Sequence, residues 1–236
     1  ANSADEVIFP TVKVKRTFDR YGFKKNSHII PTGIYLEDFR KTNFQKEEIN
    51  ELKKELGINE EDFVMLFLGR ISREKSIEEL IFEFSKIERE NLKLLFVGGG
   101  PDAELFKKQA IKLGVSDRVV FTGMIHPDNV AIYYQLGDLF VNFSVTETQG
   151  LTYYEALASG VPLLVKYDDN LEGVIVDGYN GFSFTKNEEF VGLFEKIDSD
   201  SLIFDEITKN SDKAIEKFSA ETYAKKCEEI YKKLIK

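Results

Sequence analysis

Short, almost unbroken apolar runs, each followed by a polar turn and then a segment of helical period, constrain this chain more than any other feature. They fall at 63–68, 92–97, 118–121, 138–143 and 162–165, with two further runs at 6–10 and 28–31. A strand that is apolar on both faces must be covered on both, and helices crossing over a parallel sheet do that. Helical patterns fill 77–87, 103–113, 129–136 and 151–159. The expected fold is therefore α/β, a Rossmann-like parallel sheet flanked by helices. From about residue 187 the chain becomes a charged, helical C-terminal tail. It ends in 220–235, where Tyr223, Cys227, Ile230, Tyr231 and Leu234 form one apolar stripe. Asn180-Gly181, between the apolar stretches 174–176 and 182–184, predicts a tight turn.

Residues 40–62 carry almost no strand signal and are rich in Lys, Glu and Asn, which predicts a connecting helix. The residues before them then form a β-α-β piece too small to make a core of its own. This divides the chain into 1–40, the remnant of a preceding domain; 41–62, a linker helix; 63–186, the Rossmann-like unit; and 187–236, C-terminal helices. On this reading the chain, which opens on Ala1 rather than Met, starts in mid-domain as an excised fragment would.

The net charge of −9 disfavours nonspecific binding to nucleic acid. No apolar run is long enough to cross a bilayer, and residues 1–6 lack the basic start and apolar centre of a secretory signal. A cytoplasmic location is expected. Cys227 is the single cysteine, which excludes an internal disulfide, and with only His28 and His126 as other soft ligands no metal site is expected. One segment runs against the overall charge. Across 13–25, Lys13, Lys15, Arg16, Arg20, Lys24 and Lys25 face the single Asp19, with Val14, Phe18, Tyr21 and Phe23 interleaved. Such a segment is either a surface helix with a solvated face or a patch for an anionic membrane. The second reading would put the protein at the inner face of the cell membrane.

The polar turns gather the residues that can do chemistry, because open α/β sheets bind ligands at the carboxyl ends of their strands. The run 138–143 leads into a turn holding Glu147, and Gln149-Gly150 then opens a helix with Glu155 in its second turn. Between the two glutamates lie the free N–H groups of the helix start, which attract anions. One acceptor on each side of a phosphate cradle suits a ligand with a central diphosphate and hydroxyl-bearing sugars at both ends. Two solvated surface glutamates are the plainer explanation; their place after a buried strand favours a site.

The first run of the main sheet ends in Gly69-Arg70, with Arg73 and Lys75 close behind. Arg forks onto phosphate oxygens while Lys supplies a point charge, so Arg70 and Lys75 are candidate diphosphate ligands. Surface ion pairs with Glu74 or Glu78 are the competing role, one that suits Arg73 better than Arg70. The run 92–97 leads into Gly98-Gly99-Gly100-Pro101-Asp102-Ala103, which fits the dinucleotide fingerprint G-x-G-x-x-A. The acidic residue that this pattern needs near the end of the next strand is out of place, since Asp117 precedes the run 118–121. A glycine turn that lets a nucleoside come close accounts for these residues equally well. Asp198-Ser199-Asp200 has the spacing of a metal-binding carboxylate pair but lies in the tail, where a cap or linker is expected. His126 and Asp168-Asp169 are assigned to turns.

Together, Gly69-Arg70 with Lys75, the 98–101 turn, Val120-Phe-Thr-Gly123, and Glu147-x7-Glu155 followed by Ala156-Leu-Ala-Ser-Gly-Val-Pro162 resemble the carboxyl-terminal, donor-binding domain of retaining family 4 glycosyltransferases of the GT-B fold. The resemblance runs from about residue 5 to the end, with Ile30-Pro-Thr-Gly-Ile34 similar to that family's interdomain segment. Glu147-Thr-Gln-Gly-Leu-Thr152 and Pro10-Thr-Val-Lys-Val-Lys15 are similar to bacterial diacylglycerol glucosyltransferases.

The resemblance implies transfer of a hexose from a nucleotide sugar, with UDP-glucose the expected donor, to a lipid or glycan hydroxyl with retention. It implies that Arg70 and Lys75 hold the diphosphate, Glu155 the ribose hydroxyls and Glu147 the donor hexose. The amides of Gly150, Leu151 and Thr152 would contact sugar and phosphate, and backbone at Met124 and Ile125 would read the uracil beside Gly99 and Gly100. No metal or other cofactor is implied, since cations and a helix start can neutralise the leaving diphosphate. The family keeps its acceptor pocket in an amino-terminal domain, so this polypeptide is expected to bind a nucleotide sugar weakly without transferring the sugar. Two other activities remain open: a nucleotide-sugar epimerase on the same fold, and a noncatalytic nucleotide-binding module.

Overall fold

The computed structural model describes residues 3–235. It contains a small parallel sheet and a large one. In the small sheet β1 (Glu6–Phe9) pairs with β2 (Asn26–Ile29), and α1 (Val12–Arg20) connects them. Thr11 starts α1 because its hydroxyl accepts from the amide of Val14 at 3.3 Å. Gly22, at φ +80°, lets the chain leave it in the left-handed conformation. Phe9, Phe18 and Phe23 pack with ring centroids 5.0, 5.3 and 6.4 Å apart and form the apolar centre of this unit. Short 3₁₀ turns at Leu36–Phe39 and Lys41–Asn43, then α2 (Lys46–Glu55), lead to the large sheet.

That sheet comprises β3 (Phe63–Leu68), β4 (Leu92–Val97), β5 (Val119–Phe121), β6 (Leu139–Asn142), β7 (Leu163–Lys166) and β8 (Gly181–Phe184). All pairs are parallel, in the order β5-β4-β3-β6-β7-β8. The connecting helices are α3 (Ile77–Phe84), α4 (Ala103–Lys112), α5 (Val130–Tyr134) and α6 (Leu151–Ala158); α7 (Glu189–Ser199), α8 (Ser201–Ile215) and α9 (Ala220–Leu234) follow β8. Side chains alternate along a strand. Met65 and Phe67 of β3 therefore enter one core layer with Phe84 of α3, Phe106 of α4 and Phe190 of α7. Val64 and Leu66 enter the other with Tyr134 of α5, Leu157 of α6 and Ile215 of α8. This two-sided burial is why the strands read as unbroken apolar runs.

The order means that the winding reverses between β3 and β6. Two adjacent parallel strands whose crossovers leave in opposite directions open a crevice at their carboxyl ends, the usual ligand position in such sheets. The pairing sharpens this opening. β3 matches β4 over six residue pairs but matches β6 only at Met65–Leu139 and Leu66–Phe140.

The tight turn predicted at Asn180-Gly181 does not join two antiparallel strands, because β8 runs parallel to β7. The reversal lies earlier, where Gly178 takes φ +76° and the amide of Tyr179 donates to the carbonyl of Val176 at 2.9 Å. Asn180 is fully buried and braces this turn, donating to the carbonyl of Val174 at 2.9 Å and accepting from the amide of Val176 at 2.8 Å. Gly181 has φ +146°, and a Cβ there would stand 2.0 Å from the carbonyl oxygen of Leu163. A polar brace followed by a close approach to β7 uses the same dipeptide as a hairpin. Gly181→Ala is expected to cost about 2 kcal/mol or more, measured as a lower urea midpoint at unchanged slope. Gly192→Ala, in open space on α7, is expected to be neutral or stabilising by about 0.5–1 kcal/mol.

Candidate functional site

At the carboxyl edge of the large sheet, glycines allow successive turns to touch. Gly69 donates its amide to the carbonyl of Val97 at 3.0 Å, and Ile71 donates to that of Gly99 at 2.9 Å. A Cβ on Gly98 would stand 2.2 Å from the carbonyl oxygen of Gly69, and one on Gly100 would stand 2.1 Å from that of Ile71. Gly99 lies against Met124, where an added Cβ would come within 3.2 Å of Met124 Cβ. The amide of Gly98 donates to Thr122 Oγ1 at 3.2 Å, which draws in the turn after β5. The glycine run thus serves backbone contact between neighbouring turns. Met124 is exposed at the rim, and Ile125 is partly buried.

Charge joins the turn after β3 to the turn after β6. Lys75 Nζ donates to Glu147 Oε1 at 2.5 Å, with the two side chains only 17% and 21% exposed. Thr146 Oγ1 donates to the carbonyl of Glu74 at 3.2 Å beside it. Ser76, at φ +53°, is the one non-glycine residue with positive φ among the described residues, and it follows Lys75 directly. Arg70 lies further out, 64% exposed, with its guanidinium 2.5 Å from Glu74. Hydrogen bonding to Arg70, and its charge, hold the Glu74 carboxyl below its ordinary range. Arg70 therefore makes the surface ion pair that competed with a ligand role. Arg73 turns to Asp102, which accepts from its amide at 3.0 Å. Exposed pairs such as Arg70–Glu74 are weak, so exchanging Glu74 for another anion is easy.

Gly150 precedes α6 at φ +73°, and a Cβ there would meet the Tyr153 ring at 2.4 Å. Leu151 and Thr152 follow as the first residues of the helix, whose first-turn amides have no carbonyl one turn back. In the second turn Glu155 Oε2 accepts from the hydroxyl of Tyr134 at 2.6 Å. Burial raises the Glu155 carboxyl above its ordinary value, and the Tyr134 bond partly offsets this. Burial, then the adjacent carboxylate, pushes the Tyr134 hydroxyl up as well. Nothing in the sequence pointed to Tyr134, since an aromatic residue at a buried helical position looks the same whether or not its hydroxyl meets an acid.

The turn carrying Glu147 is held from the small sheet. Thr11 Oγ1 donates to the carbonyl of Thr148 at 2.8 Å, and Gln149 makes both side-chain bonds to the backbone of Thr32, at 3.0 and 3.2 Å. The basic segment is not uniformly solvated. Lys13 turns inward onto Asp168, whereas Arg16 pairs with Asp169 at the surface at 2.6 Å and Lys15 with Asp19 at 2.8 Å. Asp198 pairs with Arg89, and Asp200 caps α8 by accepting from Leu202 and Ile203. His126 accepts from the amide of Asp128 within its own turn.

Arg70, Lys75, Gly99, Gly100 and Met124 thus occupy interlocked turns, and Glu147 leads through Gly150 into the helix that holds Leu151, Thr152 and Glu155. Residues 48–221, more than half of the chain, match the family model described as glycosyl transferases group 1, and the chain belongs to that family. It is 37% identical over 230 residues to the alpha-monoglucosyldiacylglycerol synthase of Acholeplasma laidlawii, covering 97% of this chain and 58% of that protein. It is 35% identical over 232 residues to the enzyme of the same name from Streptococcus pneumoniae (strain ATCC BAA-255 / R6), covering 98% of this chain and 52% of the relative. The chain therefore spans a little over half the length of these relatives. Its fold matches that of Anabaena Alr3699/HepE, solved in complex with UDP and glucose, at a TM-score of 0.87 and 21% identity over 98% of this chain and 64% of the other. It also matches the glycosyltransferase WaaG at 0.80 and 21% identity, over 94% and 61% respectively. The fold is the α/β, GT-B type.

Glu155 gives a pH prediction. Its folded carboxyl holds the proton more tightly than the unfolded one, whose ordinary value is 4.5. Stability then falls as pH rises from that value through the raised one, and stays lower above it. Asp138, raised mainly by burial, acts in the same direction. Glu155→Gln can still accept from Tyr134, and is expected to be more stable than wild type at pH 7 but not at pH 4. Parallel pH–stability curves would remove Glu155 as the source.

Proposed function

We propose that this chain is the donor-binding part of a hexosyltransferase, which takes a hexose from a nucleotide sugar, UDP-glucose by preference, and passes it to a lipid or glycan hydroxyl with retention. The observation that carries this reading is the Lys75–Glu147 contact at the reversal of the sheet, beside the start of α6. It sets a cation, an acceptor and free helix amides together where a sugar diphosphate needs all three. The likeness to two synthases of monoglucosyldiacylglycerol supports a glucolipid product. The UDP-glucose complex of Alr3699/HepE supports a uridine nucleotide.

In this mechanism Arg70 leaves Glu74 for the diphosphate, and Lys75 adds a second positive charge. The amides of Gly150, Leu151 and Thr152 face the same anion. Charge builds on the diphosphate as the glycosidic bond breaks, and prearranged donors stabilise it without needing to reorient. Glu147 accepts from hexose hydroxyls and Glu155 from the ribose, while backbone at Met124 and Ile125 borders the base beside Gly99 and Gly100. Retention follows if the acceptor attacks from the face that the diphosphate leaves. The division into 1–40, 41–62, 63–186 and 187–236 belongs to the same proposal, with the acceptor pocket in an amino-terminal domain beyond this chain. Without that domain the chain binds donor but does not transfer it.

An epimerase would need acid and base groups around the hexose. His126, the histidine nearest this rim in sequence, is spent in its own turn. A purely regulatory nucleotide pocket remains the second alternative.

A cytoplasmic protein peripheral to the inner membrane face is proposed as well. Arg20, Lys24 and Lys25 are exposed, as is Tyr21, which suits an anionic surface. No helix among the described residues is long and apolar enough to cross a membrane. Flotation with liposomes of increasing anionic lipid is expected to recover more protein; recovery independent of lipid charge would retire the membrane contact.

The donor site is tested by calorimetry and a thermal-shift panel of nucleotide sugars. UDP-glucose is expected to stabilise the chain most. Charge-assisted hydrogen bonds contribute about 1.5–3 kcal/mol each, so Arg70→Ala is expected to weaken UDP roughly 10–100-fold and uridine very little. Equal losses for both would separate Arg70 from the diphosphate.

A further inference from the structure

We infer that Lys13 is a positioning residue for the donor hexose, fixing from α1 the backbone that carries Glu147. This rests on the proposed role of Glu147 but concerns a residue of α1, outside the large sheet. A lysine ammonium has three protons to donate, and all three of Lys13 are engaged. Its Nζ lies 2.7 Å from the carbonyl of Val145, 2.9 Å from the carbonyl of Glu147 and 2.8 Å from the carboxylate of Asp168. The Lys13 side chain is 27% exposed and that of Asp168 12%, so the contact is largely shielded.

The loop it binds has no ladder of its own. Val145 and Glu147 give their carbonyls to Lys13, Thr148 gives its carbonyl to the Thr11 hydroxyl, and Gln149 gives its carbonyl to the Asn170 side chain at 3.0 Å. Asp168 closes the circuit, accepting from the amide of Asn170 at 3.1 Å while it holds Lys13. The two sides of Glu147 thus have different partners: its main chain is fixed from behind by α1, and its carboxylate meets Lys75 in front. Lys13 spends its three protons on the loop and on Asp168. It acts by deciding where the Glu147 carboxylate stands, and a carboxylate recognises hydroxyls only at hydrogen-bond distance. Because α1 belongs to the small sheet, any displacement of that sheet would reach the hexose pocket through this ammonium.

A merely structural lysine would weaken every ligand together or none. A positioning lysine weakens only the part of the ligand that Glu147 touches. Lys13→Met is therefore expected to lower affinity for UDP-glucose about 10-fold, with UDP changed less than about 2-fold, by calorimetry on this chain. In a Glu147→Ala background Lys13→Met is expected to cause no further loss, since both changes remove one interaction. Asp168→Asn, which keeps the shape but drops the charge that holds Lys13, is expected to show the same selectivity at smaller size, and serves if Lys13→Met does not fold. Wild-type affinity for UDP-glucose in both variants, or equal losses for UDP and UDP-glucose, overturns the inference and leaves the nucleotide site standing. Wild-type protein that binds neither ligand overturns both.

Discussion

The reversal of winding between β3 and β6 is the constraint on which the rest of the site depends. Elsewhere adjacent strands of the large sheet are paired over three to six residues, but these two meet at only two pairs. Hydrogen bonding no longer holds their carboxyl ends together, and the turns that follow are free to stand apart. Contacts of another kind then fix them. Glycine backbone contacts stitch the turns after β3, β4 and β5 into one rim, and the Lys75–Glu147 ion pair closes the rim across the gap.

The same rim holds several groups in costly settings. Glu155 is partly buried and leans on a tyrosine hydroxyl; Ser76 takes a left-handed conformation next to Lys75. The Tyr153 hydroxyl is buried without a partner at the start of α6. Each feature costs stability where ordinary core residues would not. Such costs gather where binding needs a preset geometry, and here they lie on one edge of an otherwise conventional doubly covered sheet. The unit of the small sheet supports this edge from behind through Thr11, Lys13 and Thr32, so the geometry of the edge is shared between two parts of the chain.

Much of this was legible in the residues. The apolar runs located the strands of the large sheet except β8, because two-sided burial leaves an unbroken signal. Gly69, the 98–100 glycines and the Glu147–Glu155 spacing marked the turns correctly, because a sharp exit from a strand and a helix start both have compositional signatures. β8 was not placed in the sheet, since Asn180-Gly181 marks a turn without saying which strand the next one joins. Arg70 rests on Glu74, a choice among nearby carboxylates that spacing does not make. Lys13 was grouped with its basic neighbours, although it turns inward onto Asp168.

Local sequence, then, determined which segments become strands, which become helices and which turns bear polar groups, because these follow from periodicity and backbone preference within a few residues. Partnership was decided only in three dimensions. Tyr134 with Glu155, Lys13 with the carbonyls of Val145 and Glu147, and Lys75 with Glu147 join residues 21 to 134 positions apart. Hydrogen bonds and ion pairs depend on distance and direction within a few ångströms, and only the assembled layers of the sheet set those distances.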